Sequence, residues 1–211
     1  MWRTLSVLVA LTVTCILSLA CSSPLPKVNV PQSEDVSTLF VLHVDTLFNS
    51  VDRAIVLDSF MEWERDTKGV VKFALDGESW NSGKLERGTE KCTHEVYVAS
   101  VKSTDKEVRE VEDAKSSKRG GRFTVLGYTQ STCNVRYIAL VIDRLKNPVL
   151  LRNVTVHEVG HLIGLDHIPV PNESVMFPSM DKAANCPTKL DMKQFCSMYS
   201  CKWQDMISCD D

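Results

Sequence analysis

The chain has no surplus of charge of either sign: 24 Lys and Arg against 27 Asp and Glu leave a net charge of -3. That balance excludes the basic footprint of a nucleic-acid binder and the self-repelling composition of an acidic disordered tail. Length is limited as well, since 211 residues leave room for one domain of ordinary size and little for a second. No internal repeat is visible. The 44% hydrophobic and 24% charged content is that of an ordinary soluble globular protein. Histidine is scarce, with 5 in the whole chain, so three of them between positions 157 and 167 stand out.

Residues 1–20, MWRTLSVLVALTVTCILSLA, carry one Arg near the start and then an apolar stretch ending in small residues, the pattern of an export signal. Two processing routes stay open. Ser18-Leu19-Ala20 suits ordinary cleavage, whereas Ala20-Cys21-Ser22-Ser23 looks like a bacterial lipoprotein junction, with Ser18 departing from the aliphatic residue usual there. Cysteine arithmetic favours a lipid anchor at Cys21. Of 8 cysteines, Cys15 leaves with the signal, and lipidation of Cys21 leaves an even set in Cys92, Cys133, Cys186, Cys196, Cys201 and Cys209. Three bridges among six cysteines allow about fifteen connectivities. Proximity in sequence predicts two local bridges among the last four, and elimination then pairs Cys92 with Cys133. The protein is thus expected outside the cell membrane, secreted or anchored through Cys21.

Residues 21–37 are rich in Ser and Pro and read as a tether. One folded domain is expected over 38–211. Leu39 to Asp45 is a β-rich run, and Ser50 to Arg65 an amphipathic helix carrying Val51, Ala54, Ile55, Leu57, Asp58 and Met61, with Asn49 or Ser50 as its cap. Gly69 ends it, and Val70 to Leu75 follows as a strand. After a polar loop over 76–93 come a strand from Glu95 to Val101 and a solvated, charge-mixed excursion from Lys102 to Gly121, helical in its middle. Arg122 to Gln130 and Arg136 to Asp143 read as strands, with Asn147-Pro148 as a turn. A helix from Val149 runs to a break at Gly164.

That helix carries the segment HEVGHLIGLDH, residues 157–167. His157 and His161 are four residues apart, so their side chains leave one helix face within about 40° of each other and can share a metal ion. Zinc suits them, because it accepts imidazole nitrogen and tolerates three protein ligands plus a water. Gly164 permits a sharp turn that brings His167 back as third ligand. Glu158, beside the first ligand, is placed as general base for a water molecule. With 5 His and 9 Gly in the chain, an accidental H-E-x-x-H-x-x-G-x-x-H has odds on the order of 10⁻⁵. A thioether such as that of Met176 is too soft a donor to be expected on hydrolytic zinc.

His157-Glu158-Val159-Gly160-His161 through Asp166-His167, followed by Ser174-Val175-Met176-Phe177-Pro178, resembles the matrixin branch of the metzincin metallopeptidases. The likeness is carried by residues 148 to 180, and the cysteine-bearing end from Cys186 to Cys201 is similar to those of bacterial matrixin-like proteins. The resemblance implies an α+β fold: a twisted, mostly parallel sheet packed on the Ser50 helix and the active-site helix, with a small C-terminal subdomain. It implies one catalytic zinc ion, with Met176 on a tight turn beneath the histidines as a support. It also implies that an edge strand within Phe123 to Gln130 pairs with an extended peptide or protein substrate, and a monomer is expected. Two family features are not visible: a cysteine latch in residues 22–38 and the histidine-aspartate loop for structural zinc and calcium. Calcium is therefore left open, and His43 and His94 read as structural or solvent-facing. Pro178 is followed two residues later by Met180 where the family carries Tyr, so these two form the candidate pocket wall without fixing specificity. The rival reading is a catalytically inert zinc-binding surface lipoprotein or adhesion module on the same scaffold. Glu158 argues against it, because a binding module needs the imidazoles but no base.

Overall fold

The computed structural model describes residues 37–77, 80–82, 94–119, 123–131 and 136–209. The expected signal, the Cys21 junction, the tether up to residue 36, most of the 76–93 loop, Cys92 and Cys133 lie outside the described residues. Five strands form one sheet: β1 (Thr38–Val44), β2 (Val71–Leu75), β3 (Glu95–Val101), β4 (Gly127–Ser131) and β5 (Arg136–Val141), in the spatial order β2-β1-β3-β5-β4. All neighbouring pairs are parallel except β4 with β5, which is antiparallel and leaves β4 at the edge. Four α-helices join them: α1 (Ser50–Asp66), α2 (Lys106–Arg119), α3 (Pro148–Leu162) and α4 (Lys189–Tyr199). The fold is α+β with a mostly parallel sheet, as expected.

Alternation along the strands builds two hydrophobic faces. Phe40, Leu42 and Val44 of β1, Val96 and Val98 of β3, and Ile138 and Leu140 of β5 point to the layer that holds α1 and α3. Ala99, Val101, Tyr137, Ala139 and Val141 form the opposite face, on which α2 lays Val108. The C-terminal segment beyond His167 joins the first core through Met192, Phe195 and Cys196 of α4.

Three details differ from the sequence reading. On α1 the buried side is Val56, Phe60 and Trp63, with Ser59, Glu62 and Asp66, whereas Val51 and Met61 are 62% and 50% exposed. Two large aromatics bury more apolar area than the small aliphatics that mark the other face, and Trp63 also donates its indole N–H to Val156 O of α3 at 2.9 Å. The edge strand begins at Gly127 rather than Arg122, because the Val125 backbone is satisfied by side chains: its N–H donates to Glu112 and its carbonyl accepts from Arg144. Asn147-Pro148 opens α3 instead of making a separate turn. Asn147 caps it by accepting from Val149 N at 2.9 Å, and Pro148 occupies the first turn, where its missing N–H costs nothing.

Candidate metal centre

His157, Glu158 and His161 all project from the last two turns of α3. The helix stops at Ile163, and Gly164 takes a left-handed φ of 102° that reverses the chain, with Leu165 N bonded back to Gly160 O at 2.9 Å. This turn brings His167 onto the helical pair. Each of the three imidazoles offers one nitrogen, and these atoms lie within 4.8 Å of one another; among the described residues no other cluster of His, Cys, Asp and Glu converges in this way. His43 pairs with Asp76 at 2.9 Å and stacks on Tyr97, while His94 lies 5.9 Å from the Phe40 ring, and neither joins the cluster.

The hydrogen bonds fix which nitrogens are available. His157 Nδ1 sits 2.7 Å from Val175 O and His161 Nδ1 sits 2.8 Å from Leu165 O. A carbonyl only accepts, so both Nδ1 atoms carry the proton and both Nε2 atoms keep a lone pair. His161 Nε2 lies 3.2 Å from His167 Nε2. Two nitrogens bound at about 2.0 to 2.1 Å to one tetrahedral zinc would be about 3.3 to 3.4 Å apart. The donor set therefore fits zinc by type, by tautomer at His157 and His161, and by spacing between His161 and His167. Burial, helped by the nearby His161, holds the His157 pKa down from 6.5 to about 4, so this imidazole is neutral at pH 7, as a metal ligand must be.

Glu158 lies 6% exposed beside this group. Its Oε2 accepts from Thr129 Oγ1 at 2.7 Å. Burial raises its pKa above the usual carboxylate range, opposed by the His161 charge and the Thr129 hydrogen bond. The β4 strand reaches Glu158 because Gly127 has no side chain; a Cβ there would meet Val154 Cγ1 at 2.9 Å and Glu158 Cγ at 3.2 Å.

Beneath the helix, Met176 is fully buried. It packs against the backbone at Gly160, where any Cβ would overlap the Met176 sulfur. The turn that carries Met176 is held by Asp191 of α4, a buried carboxylate that accepts from Ser174 Oγ, from Val175 N at 3.0 Å and from Thr188 N at 2.8 Å. Val175 in turn supplies the carbonyl that orients His157. Pro178 and Met180 are half-buried just beyond this turn, and Met180 packs on the main core. Thr129, Gly127, Gly160 and Asp191 were not singled out from sequence. Two had local signals: Gly160 stands between the two helical histidines, and Thr188-x-x-Asp191 is a capping box.

A profile of the matrixin family matches residues 35–200. No curated protein matches the chain by sequence. Among solved structures, the chain is similar to the archaemetzincin of Methanopyrus kandleri, at 18% identity and a TM-score of 0.44, over 78% of this chain and 96% of that one. It is also similar to high choriolytic enzyme 1, a hatching enzyme zinc-protease of the medaka fish Oryzias latipes, at 10% identity and a TM-score of 0.43, over 78% of this chain and 90% of that one.

Proposed function

The chain belongs to the matrixin family of zinc-dependent peptidases, and on that premise we propose that it is an exported endopeptidase in which His157, His161 and His167 hold one zinc ion and Glu158 is the general base. The observation that carries this reading is the convergence of three imidazole nitrogens within 4.8 Å, next to a carboxylate that a binding module would not need. Zinc in such a site acidifies a water and polarises the peptide carbonyl. The chain's own residues do the rest. The two Nδ1–H groups, anchored on Val175 O and Leu165 O, keep the imidazoles neutral and aimed. Glu158 takes the proton of the attacking water and returns it to the leaving amine, a task that suits a carboxylate whose pKa is raised by burial. Met176 supports the imidazoles from below.

An extended peptide or protein substrate adds to the free edge of β4, where main-chain hydrogen bonds hold many sequences alike. Pro178 and Met180 form the wall of the pocket that selects among them. Export is supported by the bridges Cys186–Cys209 and Cys196–Cys201, with residues 1–20 as signal, 21–37 as tether, Cys21 as lipid site and 38–211 as the catalytic domain. No helix among the described residues is long and apolar enough to cross a membrane.

The test uses internally quenched peptides, with zinc measured by elemental analysis. Glu158→Gln should retain one zinc per chain while losing about a hundredfold to ten-thousandfold in turnover. His161→Ala should lose both zinc and turnover. Near-normal cleavage by zinc-loaded Glu158→Gln would remove Glu158 from its role, and absence of chelator-sensitive cleavage by the unaltered protein would favour the inert module.

A further inference from the structure

Thr129 sits in the middle of β4, paired across the antiparallel ladder with Ile138, so strand hydrogen bonds and not a loop fix its backbone. Its side chain is β-branched and restricted in rotation. The hydroxyl is 2.7 Å from Glu158 Oε2 and 2.9 Å from Glu158 O. One hydroxyl has one proton to give, and an ionised carboxylate is the stronger acceptor as well as the nearer one. Gly127, two residues earlier on the same face, permits the approach, because a side chain there would push against Val154 and Glu158. Strand and helix are thus brought together at the point where this hydrogen bond forms.

We propose that Thr129 is a positioning residue for the general base: from the edge strand, its hydroxyl holds one carboxylate oxygen of Glu158 and leaves the other for water. A carboxylate on a long side chain must otherwise be oriented from several rotamers at each turnover, and holding a reacting group in place is a recognised source of rate. The hydroxyl bonds to Glu158 and not to a histidine of the cluster, and strand addition would use the main chain of β4, which both substitutions keep. Its loss should act on turnover, with substrate affinity and zinc content unchanged. The inference rests on Glu158 being the base.

Thr129→Val removes the hydroxyl at nearly constant shape, and Thr129→Ser keeps it. In the full chain loaded with zinc, Thr129→Val should lower kcat about tenfold to a hundredfold, as expected for a lost hydrogen bond to a charged group, with KM within about threefold of the original. Thr129→Ser should recover kcat to within about threefold. Crystal structures of metal-free Thr129→Val and Thr129→Ser give a readout independent of activity: the Glu158 carboxylate should leave its place in the first and keep it in the second. Unchanged kcat in Thr129→Val, an unmoved carboxylate, or a Thr129→Ser variant as slow as Thr129→Val would each overturn the inference. Glu158→Gln is the control: if it stays active the base assignment itself fails, whereas an inactive Glu158→Gln beside a fully active Thr129→Val condemns the role of Thr129 alone.

Discussion

Gly160 shows how much can depend on a missing methyl group. Alanine is the better helix former by about 1 kcal/mol, yet a Cβ at this position would overlap the Met176 sulfur and press on Trp63 at 3.3 Å. Both neighbours are fully buried, so neither can swing into solvent. Gly160→Ala should therefore lower stability by about 1 to 2 kcal/mol despite its helix propensity, and urea titration would show the sign; a stabilised variant would mean that Met176 has room to move. Met176→Leu keeps the volume and should retain zinc at a cost under about 1.5 kcal/mol. His157 makes a prediction of a different kind. With its pKa held at about 4 against 6.5, the unfolded chain takes up this proton first as pH falls. The stabilising contribution is complete above 6.5 and shrinks progressively as pH falls toward about 4. In metal-free protein, stability relative to His157→Asn should drop by roughly 2 kcal/mol between pH 7 and 4.5, measured by denaturant titration at the two pH values. A flat difference would show that the imidazole protonates freely in the folded state.

Among the elements, α3 was legible almost to the residue, because its histidine spacing, its Gly164 stop and its apolar positions all agree with one another. The helical extent of α1 was equally legible, but its buried face was not. Nothing in the local sequence marks Glu62 and Asp66 for burial, yet both are buried with raised pKa values, caused first by desolvation. Glu62 is accommodated by Arg152, whose partnership across 90 residues leaves no local trace. The same limit applies to Thr129 with Glu158, 29 residues apart, and to Asp191 with the Met176 turn. Asp191 ties the start of α4 to Ser174, Val175 and Thr188 at once, so α4 reaches His157 through the Val175 carbonyl. Asp191→Asn keeps the shape but replaces one acceptor oxygen with a donor that faces other donors. It should cost about 1 to 3 kcal/mol of stability and weaken zinc binding about tenfold to a hundredfold, read by unfolding and by competition with a chelator. Unaltered zinc affinity in a destabilised variant would separate the turn from the metal site.

At the scale of the molecule, the C-terminal segment is fastened by two covalent links, Cys186–Cys209 over a sequence separation of 23 and Cys196–Cys201 over a separation of 5. These are the two local bridges that sequence proximity suggested among the last four cysteines. Closing the longer loop removes more freedom from the unfolded chain, about 3 kcal/mol against about 2. Cys186→Ser should accordingly lower the urea midpoint more than Cys196→Ser, and the reverse order would mean that folded-state contacts outweigh loop length. Peptide mapping without reduction tests the remaining expectation, Cys92 with Cys133, and a link from Cys92 to the tail would refute it. The edge strand has a further consequence. β4 finds its strand partner on one side, in β5, among the described residues. A sheet left unfinished is a place where copies of a protein adhere to one another, and stable folds commonly shorten, twist or charge such borders. This border is 5 residues long, and it begins with glycine and ends in the exposed Gln130 and Ser131. Its solubility in concentrated solution therefore depends on brevity and polarity, since covering the border would close the slot on which a peptide is expected to lie.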